Sequence, residues 1–150
     1  MINVSLTYSI AFSILYCINE NQNPSSKETT MKSKWIFYKG VKILFADYSG
    51  FKNDAAALQI ENDAVDAVVC QQAPGSVLCI SDVRDTVASS EAVAIIKKSA
   101  KRTNPYVRKQ AVIGVTGVRR VLADAVVRFS GQNLTLFDTL EQAQEWLVSD

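Results

Sequence analysis

The sequence predicts an α/β protein built on a mainly parallel five-stranded sheet, in the order β-β-α-β-α-β-α-β-α, and three observations carry that reading. From Lys34 onward, short apolar runs alternate with segments of helical periodicity, the pattern that builds parallel sheets through crossover helices. The run Ser76-Val-Leu-Cys-Ile-Ser-Asp82 is nearly continuous in apolar residues, as a strand covered on both faces requires. The 150 residues are 48% apolar and 21% charged, with six Gly and three Pro. A chain of that size and composition buries roughly two-thirds of its unfolded surface in one core, without metal or disulfide staples.

Trp35-Ile-Phe-Tyr38 and Val41-Lys-Ile-Leu-Phe-Ala46 flank Lys39-Gly40, which predicts a hairpin whose first strand is antiparallel to the second. Asn53 or Asp54 then caps a helix reaching about Gln71, with Ala57, Ile60, Ala64, Ala67 and Val68 as its core face, and Ala73-Pro74-Gly75 ends it. After the strand at Ser76–Asp82, Ser89-Ser90-Glu91 opens a second helix with Val93, Ile96 and Ala100 toward the core. Its last turns hold Lys97, Lys98, Lys101 and Arg102, which complement the negative end of the helix dipole. Lys109–Gly114 reads as the next strand. Val118, Val121, Leu122, Ala125 and Phe129 mark a third helix, which Gly131 stops. Leu134–Phe137 is a last short strand, and Thr139-x-x-Gln142 is a capping box opening a helix to Val148.

Residues 31–150 therefore carry the predicted domain. Residues 1–30 read as an appendage, either an over-extended start or a weak membrane-targeting segment. The apolar stretch Ile2–Ile18 is interrupted by polar residues and falls short of the ~20 residues a membrane-spanning helix needs; Asn19–Thr30 is a polar linker. Cys17, Cys70 and Cys79 form no C-x-x-C pair. Cys70 and Cys79 fall in apolar runs as small core residues, which fits a reducing, cytoplasmic compartment. The chain has no histidine, so Ser-His-Asp and Cys-His nucleophile pairs and His-based zinc motifs are excluded.

Several segments resemble one family: Ile43-Leu-Phe-Ala-Asp-Tyr-Ser-Gly50, Gly75-Ser-Val-Leu-Cys-Ile-Ser-Asp82, Asn104-Pro-Tyr-Val-Arg-Lys-Gln-Ala-Val-Ile-Gly-Val-Thr-Gly117, Arg128-Phe-Ser-Gly131 and Phe137-Asp-Thr-Leu-Glu141. In this order and spacing they resemble the STAS domain of sulfate-transporter tails and anti-sigma factor antagonists, and within it the SpoIIAA-like, STAS/SEC14-like subgroup. The resemblance spans residues 34 to 148 and implies a small cytoplasmic bacterial protein with no enzyme activity attached to it. Phospho-switched antagonists carry an Asp-Ser-Ser turn between the third strand and the next helix. Here that region reads Ser81-Asp-Val-Arg-Asp-Thr-Val-Ala-Ser-Ser90, which departs from the turn but offers Thr86, Ser89 and Ser90 as phosphorylation candidates. Thr86 is the first choice, because Ser89 is expected to cap the helix.

Ligands of parallel sheets lodge beyond the carboxyl ends of the strands. That rim gathers Asp47, Tyr48, Ser49, Ser81, Asp82, Thr116, Gly117 and Asp138. Gly114-Val-Thr-Gly117 precedes a predicted helix but lacks the lysine of a phosphate loop. The charge is polarised although the net charge is +1: residues 47–91 hold eight acids and two bases, and residues 97–128 hold nine bases and one acid. Aromatic residues are not interleaved with the bases, so nucleic acid is not the expected partner. Asp63 with Asp66, and Asp82 with Asp85, lack a third ligand at metal spacing, and neither a metal nor a cofactor is expected. The expectation is a non-catalytic regulatory or binding module that engages a protein partner or small ligand at the rim. The alternative is a SEC14-like carrier of a lipid or other hydrophobic ligand. A homodimer fits either, and stable membrane insertion fits neither.

Overall fold

Each of the five predicted strands forms. In the computed structural model the described residues are 30–117, 120 and 133–150, so residues 1–29 and, apart from Arg120, the helix predicted over Val118–Phe129 lie outside them. Met31–Asp150 make up one unit. Its described elements are β1 (Lys34–Tyr38), β2 (Val41–Asp47), α1 (Ala55–Val69), β3 (Val77–Asp82), α2 (Ser90–Thr103), β4 (Val107–Ile113), β5 (Leu134–Phe137) and α3 (Leu140–Val148).

The sheet runs β1-β2-β3-β4-β5. β1 is antiparallel to β2 and the other pairings are parallel. The hairpin turn has Lys39 at φ +48° and Gly40 at φ +78°. Both residues are left-handed, the type I′ conformation whose twist matches that of the flanking strands.

Side chains alternate across the sheet and divide the core in two. On one face Leu44, Ala46, Val77 and Cys79 pack with Leu58, Val65 and Val69 of α1 and Ala92 of α2. On the other, Ile43, Leu78, Ile80, Ala111 and Ile113 pack with Ala143 and Leu147 of α3. Successive crossovers of one hand, walking in one direction across a sheet, place their helices on one side. α3 follows the last strand and is free to cover the other side. Its capping box forms as predicted, with Thr139 and Gln142 exchanging side-chain-to-backbone bonds. Burial pushes the Cys79 thiol up to about 12, so it stays protonated within the core, as expected of a packing residue.

Two helices sit rotated from their predicted faces. α1 buries Glu61, Asn62 and Asp66 beside Leu58, Val65 and Val69, while Ile60, predicted as core, is 58% exposed and Ala67 faces water. The cause lies in distant partners. The Glu61 carboxylate accepts the backbone N–H groups of Lys32 (3.1 Å) and Ser33 (2.8 Å), fixing the chain's entry into β1. Asp66 accepts the Ser99 hydroxyl at 2.5 Å and meets the Arg102 guanidinium at 3.1 Å. That clamp also turns α2, so that Ala92 and Ser99 point inward, whereas Val93 (39%) and Ile96 (41%) stay exposed.

Candidate functional site

Register sets the rim. Asp47, Asp82, Ile113 and Phe137 are successive Cα partners across β2, β3, β4 and β5, so the chain leaves all four parallel strands at one level. Partnered residues of parallel strands point to the same face, which places the Asp47 and Asp82 carboxylates side by side. Each is held by its own cation. Lys32 Nζ lies 3.2 Å from Asp47 and donates to the Ser49 carbonyl at 2.6 Å. The Arg84 guanidinium forks onto Asp82, with Nε 3.0 Å and Nη2 2.6 Å from its two oxygens; Arg84 N also donates to Asp82 at 3.1 Å. Asp82 is 2% exposed and Arg84 65%, so the buried charge is neutralised from the solvent side. At the far end Arg120 pairs with Asp138 and donates to the Leu136 carbonyl at 3.4 Å. Sequence reasoning identified the three aspartates and missed their cations. The Asp82-Val-Arg84 spacing was the one available signal.

Burial acts to raise the Asp47 carboxyl, but bonds from the Ser49 hydroxyl and N–H, together with the Lys32 ammonium, outweigh it and hold the group below the ordinary carboxylate value. Ser49 thus serves as the second half of an Asx turn, its Oγ donating to Asp47 at 2.6 Å and its N–H at 3.0 Å. Tyr48 is 5% exposed and belongs to the α1-side core, where burial pushes its phenol far above the usual range. It therefore lies beneath the rim, as a packing residue. Ser81 is also buried, where it accepts from Gln110 Nε2 at 3.1 Å. Thr116 and Gly117 are exposed beyond β4. Gly117 holds φ +64° and accepts the Arg120 N–H at 3.0 Å.

Beyond the rim the β2–α1 and β3–α2 loops are zipped together. The backbone bonds are Tyr48 N to Asp82 O (2.9 Å), Gly50 N to Arg84 O (2.8 Å), Lys52 N to Asp85 O (2.8 Å) and Val87 N to Lys52 O (2.6 Å). Lys52 and Asp85 are left-handed non-glycine residues, φ +53° and +56°, a conformation that is held at a cost. Thr86 locks the zip, because its hydroxyl donates to the Tyr48 carbonyl at 2.6 Å and accepts the Phe51 N–H at 3.2 Å. Ser89 caps α2 by accepting the Ala92 N–H at 3.2 Å, as expected. Ser90 lies exposed on the first turn, touching Glu91 at 3.1 Å. Of the three hydroxyls, Thr86, the first choice from sequence, is tied up in a structural bridge, and Ser90 is the one open to solvent.

The paired carboxylates divide. Asp66 belongs to the buried α1–α2 clamp, whereas Asp63 is exposed, bonded to Gln59 and 3.9 Å from the same Arg102 guanidinium. Asp85 contributes its backbone to the zip. Among the described residues no three His, Cys, Asp or Glu side chains stand together as a metal site.

No protein-family model matches the chain, and no curated protein matches its sequence. Among solved structures it is similar to an uncharacterised protein of the DUF3478 family with a SpoIIAA-like fold, from Shewanella loihica PV-4. The two share 12% identity, with a TM-score of 0.58, over 77% of this chain and 91% of that one. The likeness at this identity is one of fold: the chain has a SpoIIAA-like architecture, as its segments had implied.

Proposed function

We propose that this SpoIIAA-like fold serves as a non-catalytic binding and regulatory module of the cytoplasm, and that it engages a protein partner through the zipped loops beyond β2 and β3. The observation that carries the reading is the Thr86 bridge. It fastens the β3–α2 loop to its neighbour, so the outward side chains of Arg84, Asp85, Val87 and Ser90 are held in place before a partner arrives. Preorganisation of this kind lowers the entropic cost of association, and an exposed apolar residue amid charges matches the makeup of protein interfaces. Two strained residues in direct hydrogen-bond contact at the same place support a functional surface. The ion pairing of Asp47, Asp82 and Asp138 favours docking over acid–base work, since each charge is already matched.

Regulation by phosphate falls to Ser90 in this proposal. It stands at a helix start, where the dipole and free N–H groups favour an added dianion. The alternative, a carrier of a hydrophobic ligand, calls for an enclosed apolar cavity of several hundred Å³. The cleft between α2 and β4–β5 lined by Ala100, Thr103, Asn104, Val107, Gln110 and Leu134 holds about 30 Å³, too little to seat such a ligand there. Among the described residues no helix is long and apolar enough to cross a membrane.

Native mass spectrometry of the protein purified from its own host, followed by pull-downs with Val87→Glu and Val87→Lys at the exposed Val87, tests the proposal. The expected result is a protein partner that both variants lose at an unchanged melting temperature. A co-purifying lipid, or a partner indifferent to both substitutions, would overturn it.

A further inference from the structure

Among the described residues β1 is an edge of the sheet, and it carries a specific self-complementarity. A type I′ turn makes Tyr38 and Val41 the hydrogen-bonded pair that closes the hairpin, and bonded and non-bonded pairs alternate from there. Ile36 and Lys34 therefore direct their backbone groups toward Ile43 and Phe45 of β2. Trp35 and Phe37 direct theirs outward, where no strand of the described sheet meets them. Natural edge strands are commonly blunted by proline, a bulge or charged side chains. β1 has no proline or bulge, its one charge is Lys34 at its start, its register against β2 is unbroken, and Phe37 is 71% exposed.

We propose that β1 pairs antiparallel with β1 of a second copy of this chain, about a two-fold axis at Ile36, joining two sheets edge to edge. In this register the two outward residues form the hydrogen-bonded pairs, Trp35 with the second copy's Phe37 and the reverse, for roughly four interchain bonds. Ile36 meets its own copy in the close, non-bonded pair between them. Trp35 packs against the α1-side cluster and Phe37 shares that face by alternation, so each exposed phenylalanine is covered by a tryptophan. On the α3 side, where Ile36 and Tyr38 pack, Lys34 stands opposite the second copy's Tyr38. That hydroxyl is bonded to Glu145, which also pairs with Lys39, so Lys34 arrives beside a carboxylate. The strand Lys-Trp-Ile-Phe-Tyr is matched to its own reversal, which selects a second copy over an unrelated strand.

Sedimentation velocity of the full chain over a concentration series, for the parent and for Phe37→Lys, tests the assembly. Phe37→Lys sets a lysine against the second copy's Trp35, whose ring already carries Lys42 Nζ at 4.1 Å. We expect a concentration-dependent dimer, weakened at least about tenfold by Phe37→Lys, with the melting temperature unchanged at dilutions where the parent is monomeric. Cysteine cross-linking fixes the register and does not depend on that variant folding. Two Ile36→Cys Cα atoms would lie about 4.5 Å apart, within disulfide reach, and two Lys34→Cys Cα atoms about 14 Å apart, beyond it. Mild oxidation should cross-link Ile36→Cys and leave Lys34→Cys as inert as the parent. A monomer at every concentration, a dimer untouched by Phe37→Lys, or equal cross-linking at both positions would overturn the proposal.

Discussion

Arg84 crosses the backbone of Gly114 so closely that a β-carbon at position 114 would stand 2.5 Å from Arg84 Cγ and 2.7 Å from its amide nitrogen. Gly114 also holds φ +92°, where an L side chain is strained in any case. The guanidinium that neutralises buried Asp82 is routed over this glycine. Gly114→Ala is therefore expected to cost on the order of 3 kcal/mol, from strain and displaced backbone together. Urea denaturation measures it. A cost below about 0.5 kcal/mol would mean that Arg84 takes another path.

Thr86 and Ser90 should respond in opposite ways. Thr86→Val leaves the Tyr48 carbonyl and the Phe51 N–H without their partner, at a cost of about 1 to 3 kcal/mol. Ser90→Ala on the exposed first turn should change stability by less than about 0.5 kcal/mol, and Ser90→Glu should add a few tenths through the helix dipole. Thermal melts of the three variants check the ranking. Equal losses at both positions would remove the reason for preferring Ser90 as the modified hydroxyl.

Two acids should pull the pH profile in opposite directions. The Asp47 carboxyl is lowered from the ordinary 3.8 by Ser49 and Lys32 acting against burial. Its stabilisation is complete above 3.8 and is lost as pH falls through the lower folded value. The Asp66 carboxyl is raised above 3.8, chiefly by burial. The folded state then holds that proton more tightly than the unfolded chain, and stability declines as pH rises from 3.8 through the raised value. Asp47→Asn should flatten the loss at the acid end, and Asp66→Asn should flatten the decline above it. Urea midpoints measured from about pH 2 to about pH 7 would expose either sign as wrong.

The orientation of α1 predicts unequal neighbours. Leu58, 2% exposed in the core, should cost about 2 to 5 kcal/mol on truncation to alanine. Ile60→Ala should change stability by less than about 0.5 kcal/mol. Similar costs at both positions would return α1 to the face that its apolar pattern suggested.

That pattern marks the boundary of what could be read from the chain. Strand runs, the Lys39-Gly40 turn, the Ser89 cap and the Thr139 capping box depend on residues adjacent in sequence, and all are found. The faces of α1 and α2 were misread because Glu61, Asp66 and Ser99 are paid in hydrogen bonds from 28 to 33 residues away, and hydropathy alone registers such residues as solvent-facing. The rim was legible as a cluster of Asp, Ser and Thr for the same local reason. The inward turn of Tyr48, the cations over the aspartates and the double bond of the Thr86 hydroxyl follow from register between strands, which no local spacing encodes.

Strand order in space equals strand order in the chain, and this bears on how the protein is made. No strand has to wait for a later one to be slotted between it and its neighbour. As the chain emerges, the β1–β2 hairpin closes over two residues, and each following strand finds its docking edge already in place. Local contacts of this kind lower the entropic cost of each step. Assembly can therefore track synthesis, adding each strand at the growing edge as it emerges instead of holding a set of unmatched strands open to aggregation. Pulse-labelled hydrogen exchange should find the β1–β2 ladder protected before β4–β5, and the reverse order would exclude such a vectorial route.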